Sequence, residues 1–290
     1  MVIVTRPSTL GGAVDASKLP KSATFLIGDV HGQWDALDRL LAAMGRADTG
    51  QSHRTLVTLG DVVHKGPRSR KVLKETLLGG LTTRARADTF VPLLGNHEIL
   101  FARALIALEQ GEEGKAWLSA WARGGGESLL TSWTKDKPGT WRDRLMRWRD
   151  GFPSPELAGL ATWHKAWIQG GLSAVHAGFT PGVDWRSMGP MEAYLEARPR
   201  LRKHTTHWAT VRAPFLDWVG GFKGDLVVHG HTPPKAFFGG KPKNEAAVMR
   251  ALNRTRDLGR LCLDGGAGFG IGVAGALVHE GTVRLYFAPC

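Results

Sequence analysis

The sequence predicts an α/β fold, and three observations carry the prediction. Short apolar runs recur along the chain, each closed by Gly or His with polar groups. Segments of helical periodicity fall between several of them. The chain has 290 residues, 42% of them apolar, enough to bury one large core or two small ones.

The strands come in order. "TFLI" leads into "GDVHG", "TLVTL" into "GDVVHKG", and "TFVPLL" into "GNHE". Later, "LSAV" leads into "HAG", "LVV" into "HGHT", and "LCL" into "DGGAG". Apolar runs this short, bounded by Gly, read as strands of a sheet covered on both faces. The segment "GALVHEGTVRLYF" reads as a hairpin turning at "HEGT". Among the helices, "QWDALDRLLAAM" puts Trp34, Leu37, Leu40, Leu41 and Met44 on one face, with Gly45 as its stop. Pro67 precedes a second helix, "RSRKVLKETLL". The stretch from Ile99 to Gln169 is mostly helical in pattern and rich in Trp: Trp117, Trp121, Trp133, Trp141, Trp148, Trp163 and Trp167. A Trp stripe at helical spacing reads as core packing, with base stacking as the alternative.

Charge bounds the partners. With 38 Lys+Arg against 26 Asp+Glu, the formal charge is +12, which favours nucleotides, polyphosphate, RNA or acidic peptides. The alternative is a basic, soluble surface without a partner. The basic runs, such as "RPRLRKHTTHWATVR", carry no nucleic-acid-binding motif. "MVIVTRPSTLGGAVDASKLP" contains no run suited to a signal peptide, and no stretch is long enough to span a membrane. Cys262 and Cys290 have no motif neighbours, which argues against a disulfide framework or a thiolate metal site. The expectation is a soluble, cytoplasmic protein.

The polar groups beyond the strands form a donor set. Asp29 and His31, one residue apart at the end of an extended segment, can reach one cation. Asp61 has two oxygens and can bridge two cations. Asn96 offers an amide oxygen, and His176 and His231 offer imidazoles. Six N/O ligands without sulfur point to two divalent ions, with manganese, iron, cobalt or zinc in view. Two such ions lower the pKa of a bound water and clamp a phosphoryl centre. His97, beside Asn96, is then free to protonate the leaving oxygen. Lys65 and Arg212 are the candidates to hold the remaining phosphate charge, with Asn96 and His97 also in reach. Each element alone is weak, since Gly-Asp and Gly-Asn are ordinary turn dipeptides; five in this order, each at a strand end, are a joint signal.

Read in order, "GDVHG", "GD", "GNHE", "HAG" and "GHTP" resemble the metallophosphoesterases, in their phosphoprotein-phosphatase branch. That branch includes protein serine/threonine phosphatases and bacterial symmetrical diadenosine-tetraphosphate hydrolases. The resemblance runs from about Phe25 to the final strand and takes in "WARGGGESLLTSW", "WATVRAPFL" and "LDGGAGFG". It implies a calcineurin-like fold, two packed mixed β-sheets flanked by helices, in a single domain 1–290. Residues 1–20 would be an N-terminal extension and 99–170 a Trp-rich helical insertion. It also implies that Asp29, His31 and Asp61 bind one metal, that Asp61, Asn96, His176 and His231 bind the other, that His97 is the acid, and that Arg212 binds phosphate.

One stretch departs from the branch. Its protein phosphatases read "GDxVDRG", where the Asp orients and charges the acid His and the Arg forks onto phosphate. This chain has His64 and Lys65 there. An imidazole supplies no fixed negative charge, and Lys gives up the bidentate geometry. "VHKGP" is more similar to the ApaH-like phosphatases and to the dinucleotide hydrolases, which also lack that Asp. A nucleoside diphosphate leaves as a stable anion and needs less acid help than a serine alkoxide, so hydrolysis of phosphoanhydrides is favoured. His64 either contacts substrate or a partner side chain, or is a solvated loop residue.

Around the core set, His229 and Glu98 read as supporting groups, His204 and His207 as basic surface with lining of a substrate channel as the alternative, and Asp264 as loop architecture. The expected activity is hydrolysis of dinucleoside polyphosphates, extending to RNA caps or inorganic polyphosphate, with nucleic acid entering only as substrate. The alternatives are a protein serine/threonine phosphatase and a non-catalytic phosphate- or RNA-binding protein.

Overall fold

The structure, a computed structural model, describes residues 1–50, 53–131, 139–150, 159–160, 162–182, 207–240, 242, 244–254 and 256–290. Its strands are β1 (Ile3–Val4), β2 (Ser8–Thr9), β3 (Ala23–Ile27), β4 (Arg54–Thr58), β5 (Thr89–Pro92), β6 (Ala166–Gln169), β7 (Leu172–Val175), β8 (Leu226–His229), β9 (Arg260–Cys262), β10 (Gly272–His279) and β11 (Thr282–Pro289). They form two mixed sheets. The first runs β1-β11-β10-β3-β4-β5, with β2 beside β11, and the second runs β6-β7-β8-β9. Strands β3, β4 and β5 are mutually parallel, as are β7, β8 and β9. Every apolar run singled out above is one of these strands, and "GALVHEGTVRLYF" is the β10–β11 hairpin.

Side-chain alternation builds four layers. Phe25, Ile27 and Leu56 face one side of the first sheet and pack with α1 (Trp34–Gly45), α2 (Ser69–Leu77), α3 (Gly80–Ala85) and α4 (Asn96–Ala107). Leu26 and Val57, one residue along, face the other side and meet Ala174, Leu226, Val228 and Leu261 of the second sheet. The outer face of the second sheet carries Val175 and Val227, packed against Phe179, Phe215 and Phe222. The first twenty residues add β1 and β2 to one edge, and they put Leu10, Val14 and Leu19 into the core between the sheets.

Two details differ from the sequence reading. Gly45 does not stop α1: the helix includes it and ends at Arg46. A Cβ on Gly45 would lie 2.7 Å from the Arg84 carbonyl, so glycine is there to let α3 cross closely. The Trp-rich stretch is helical in α4 and α5 (Lys115–Trp121), but Trp167 lies in strand β6. Trp117, Trp121 and Trp163 are buried, as core packing requires; Trp133 lies outside the described residues. Among the described residues no helix is long and apolar enough to cross a membrane.

Because the two parallel sets point their carboxyl ends to one edge, the residues after β3, β4, β5, β7, β8 and β9 converge there. That convergence needs tight turns. Gly60 is at φ +90, and a Cβ on it would lie 2.4 Å from the Gly95 nitrogen. Gly60→Ala is expected to cost about 2–5 kcal/mol in urea denaturation, from strain and overpacking together. Gly11→Ala, where nothing lies within 4 Å, should stay within about 0.5 kcal/mol of the parent.

Candidate metal centre

The loops after the strands place the expected residues around one cavity. It has a volume of about 580 Å³ and is lined by Asp29, His31, Asp61, Lys65, Asn96, His97, Arg212 and His231, together with Lys235, Asp264 and Phe269. His176 lies beneath it, fully buried. The structure therefore brings together all the candidate residues read from the sequence.

The backbone here is held in an unusual conformation. His31, Asp61, His64, Lys65 and His231 all have positive φ, between 46 and 73°, a region that non-glycine residues rarely adopt. Such strain persists only where the surroundings enforce it. Glu98 supplies much of that enforcement. One of its carboxylate oxygens accepts the N–H groups of Asp61 (2.7 Å) and Gly95 (2.9 Å), and the other accepts those of Val62 (2.9 Å) and Val63 (3.3 Å). Burial pushes its pKa up to about 7, opposed by the N–H groups of Asp61 and Gly95. Its place three residues after Gly95 is the spacing of a helix-capping acid, the sequence signal that marks it as structural.

Asp61 faces two ways. Its Oδ2 is 3.6 Å from His31 Nε2, and its Oδ1 is 3.4 Å from His176 Nε2. His31 Nε2 is also 3.8 Å from Asp29 Oδ2, and His176 Nε2 is 3.1 Å from Asn96 Oδ1. His231 joins Asp61 and His176 in a second cluster. The tautomers follow from the backbone. His31 Nδ1 meets the Val63 carbonyl at 3.1 Å and His176 Nδ1 meets the Leu59 carbonyl at 2.8 Å. A carbonyl can only accept, so each Nδ1 carries the proton and each Nε2 turns a lone pair inward.

Lone pairs and carboxylates thus converge, and a cation resolves the crowding. In this structure the Lys65 ammonium does so on one side, 3.2 Å from His31 Nε2. The donor set fits divalent metal ions: carboxylates, an amide oxygen and neutral imidazoles, each imidazole oriented through its other nitrogen. Asp29 and Asp61 are both raised by burial, Asp61 to about 7, and Asp264 and Asp61 push Asp29 further. Burial pushes the three histidines down, His176 to about 4, so they stay neutral.

Four residues differ from or add to the sequence reading. Asp264 does shape its loop, accepting the Gly266 N–H at 2.8 Å, but it also faces the cavity as a further carboxylate. Its place just past β9 was the available signal. Lys235 and Phe269 extend the cavity, the ammonium 3.7 Å from the ring centroid, and no local pattern announced them. His64 is no solvated loop residue. It is fully buried, with Nδ1 at 2.9 Å from His97 Nδ1 and Nε2 accepting the Trp121 indole N–H at 3.0 Å. His229 is buried against Phe215 and supports the fold, and His207 is half-buried beside Trp208. His204 lies outside the described residues. Arg212 reaches the cavity and donates to the His231 carbonyl at 3.1 Å.

Comparison with known proteins gives the same picture. Residues 24–246 match the calcineurin-like phosphoesterase family. The chain is 34% identical over 180 residues to a symmetrical bis(5'-nucleosyl)-tetraphosphatase of Delftia acidovorans, covering 62% of this chain and 52% of that one. It is 34% identical over 103 residues to a zinc-dependent endopolyphosphatase of Saccharomyces cerevisiae, covering 34% and 27% respectively. Among solved structures, a cold-active protein-tyrosine phosphatase of a Shewanella species superposes with a TM-score of 0.51 at 15% identity, over 92% of this chain and 82% of that one. That likeness concerns the fold alone. The matched region spans about half the length of the Delftia relative.

The raised carboxylates have a consequence with a definite sign. Folded Asp61 keeps a proton up to about pH 7, whereas its unfolded counterpart releases it near 3.8. Without metal, stability therefore falls as pH rises through that window. A divalent cation displaces those protons. Added Mn²⁺ should raise the melting temperature more at pH 8 than at pH 5; an equal rise at both would place the binding elsewhere.

Proposed function

This chain belongs to the calcineurin-like phosphoesterases, and within that family we propose that it is a metal-dependent hydrolase of phosphoanhydrides, with dinucleoside polyphosphates as its substrate class. The observation that carries this reading is the lining of the cavity. Beside the ligand cluster it holds three cations, Lys65, Arg212 and Lys235, and the Phe269 ring. A phosphomonoester needs less positive charge than this. A polyphosphate chain ending in a base uses all of it, with the cations on the phosphates and the aromatic ring for the base. The volume is that of a site for a ligand of this size.

In this reading Asp29, His31 and Asp61 hold one divalent ion, and Asp61, Asn96, His176 and His231 hold the other. Manganese is the first candidate, with iron, cobalt and zinc next. The ions supply Lewis acidity and a nucleophile available at neutral pH. The chain's own groups do the rest. The Lys65 ammonium, 3.2 Å from His31 Nε2, would turn to the phosphates once that lone pair served as a metal ligand. Arg212, half anchored on the His231 carbonyl, presents its remaining N–H groups to the same oxygens. His97 places Nε2 on the side of Asp61, 3.9 Å from Oδ2, within reach of a leaving oxygen. The substrate named for the Delftia relative, a dinucleoside tetraphosphate, and that named for the yeast relative, polyphosphate, both contain the phosphoanhydride bond. Cytoplasmic residence is part of this proposal; Cys262 and Cys290 are both free thiols.

A competition in one tube tests the reading. Manganese-loaded protein receives diadenosine tetraphosphate and a phosphoserine peptide at equal concentration. Release of two ADP should dominate, and His97→Ala, which removes a hydrogen-bond donor to the leaving oxygen, should lower kcat by about 10²–10³-fold. Preferential release of phosphate from the peptide would favour a protein serine/threonine phosphatase, and metal binding without any turnover would leave a phosphate-binding protein. Separately, Phe269→Ala should raise KM for the dinucleotide about tenfold while leaving turnover of an aryl phosphate unchanged.

A further inference from the structure

The Trp-rich helical stretch reaches the site through one side chain. Trp121, at the end of α5, is fully buried, and its indole N–H donates to His64 Nε2 at 3.0 Å. The other nitrogen of His64 lies 2.9 Å from His97 Nδ1. His64 also packs edge-on against Phe101 and Trp121, which hold its ring plane.

We infer that Trp121 and His64 are positioning residues that fix the tautomer of His97, so that His97 presents an Nε2–H to the site. The direction comes from the indole, which can only donate. His64 Nε2 must therefore accept, and the single proton of a neutral His64 sits on Nδ1. That N–H can only be satisfied if His97 Nδ1 accepts it. A neutral His97 then carries its proton on Nε2. Burial and the adjacent Lys65 ammonium hold His64 down to about 3, which keeps it neutral.

The same bookkeeping disfavours a cationic His97. Its Nδ1–H would face the Nδ1–H of His64. To make room, His64 would have to move its proton to Nε2, against the indole N–H. Either clash leaves a buried donor unpaired, which is unfavourable. The arrangement also separates His97 from His31 and His176, whose carbonyl partners turn Nε2 lone pairs toward the same cavity. Three buried imidazoles share the centre, and their backs decide which donates and which accept.

A consequence for substrate follows, and it rests on the proposed function. A neutral imidazole is a hydrogen-bond donor but a weak source of a whole proton. It suits a leaving group that departs as a stable anion, such as a nucleoside diphosphate, where no proton need transfer. It serves a serine alkoxide poorly. A carboxylate in place of His64 would do the reverse, accepting Nδ1–H and favouring the imidazolium.

The full chain, labelled with ¹⁵N only at histidine, tests the tautomer without metal or substrate. Two-bond ¹H–¹⁵N spectra, assigned with His97→Gln and His64→Asn, should show His97 as Nε2–H and His64 as Nδ1–H. In His64→Asp, which can only accept, His97 should move to Nδ1–H. In His64→Asn, whose amide can donate, it should stay Nε2–H. Trp121→Phe removes the anchoring donor, and His64 and His97 should then both show mixed tautomers. An Nδ1–H His97 in the parent protein, an Nε2–H persisting in His64→Asp, or unchanged tautomers in Trp121→Phe would each overturn the inference. Should Trp121→Phe not fold, the parent and the two His64 variants decide it. With metal, His64→Asp should raise turnover of an alkyl phosphate relative to the dinucleotide by about tenfold or more. Tautomers as expected without dinucleotide cleavage would instead sink the proposed function and leave the relay standing.

Discussion

The Glu98 carboxylate is the contact on which the rest of the site depends. It gathers backbone N–H groups from two loops, those after β4 and β5, and fixes them against each other. Through that clamp Asp61 is held in a left-handed conformation, with one oxygen toward His31 and the other toward His176. The clamp also sets the start of the turn that carries His64 and Lys65. A buried carboxylate with N–H partners on both oxygens is satisfied, and so it can serve as a fixed point in a region that is otherwise strained.

Around that fixed point the protein concentrates groups that do not suit one another. Asp29, Asp61 and Asp264 are buried together, and the inward nitrogens of His31 and His176 add lone pairs to the same space. As a fold element this cluster is unfavourable, and the local rules of packing and propensity are broken at five positive-φ positions. As a cation site it is complementary. The position of Lys65 shows the demand directly, since its ammonium reaches across to His31.

The Trp-rich helical stretch takes part in that arrangement. The Gly125 carbonyl accepts the Lys65 N–H at 3.1 Å, and Trp121 anchors His64. The helical segment between β5 and β6 therefore buttresses the turn that carries His64 and Lys65. The missing carboxylate at position 64 is replaced by a different device, in which an indole sets the direction of a hydrogen-bonded pair of imidazoles.

The sequence by itself determined where eight of the described strands lie along the chain, the polar residues at their carboxyl ends, the N/O character of the donor set and the lack of an acid at position 64, but not the order of strands in each sheet. These are legible because short apolar runs and turn residues act within a few positions of the chain, and the ligands follow the runs directly. What tertiary structure decided is which side chains meet. Trp121 lies 57 residues from His64, and it appeared in sequence as one of several core tryptophans. Asp264, Lys235 and Phe269 reach the cavity only because the second sheet packs face to face on the first, which brings the loops of both sheets together. The tautomers of His31, His97 and His176 depend on the partner behind each ring, and that partner is fixed by packing between distant segments rather than by any local pattern.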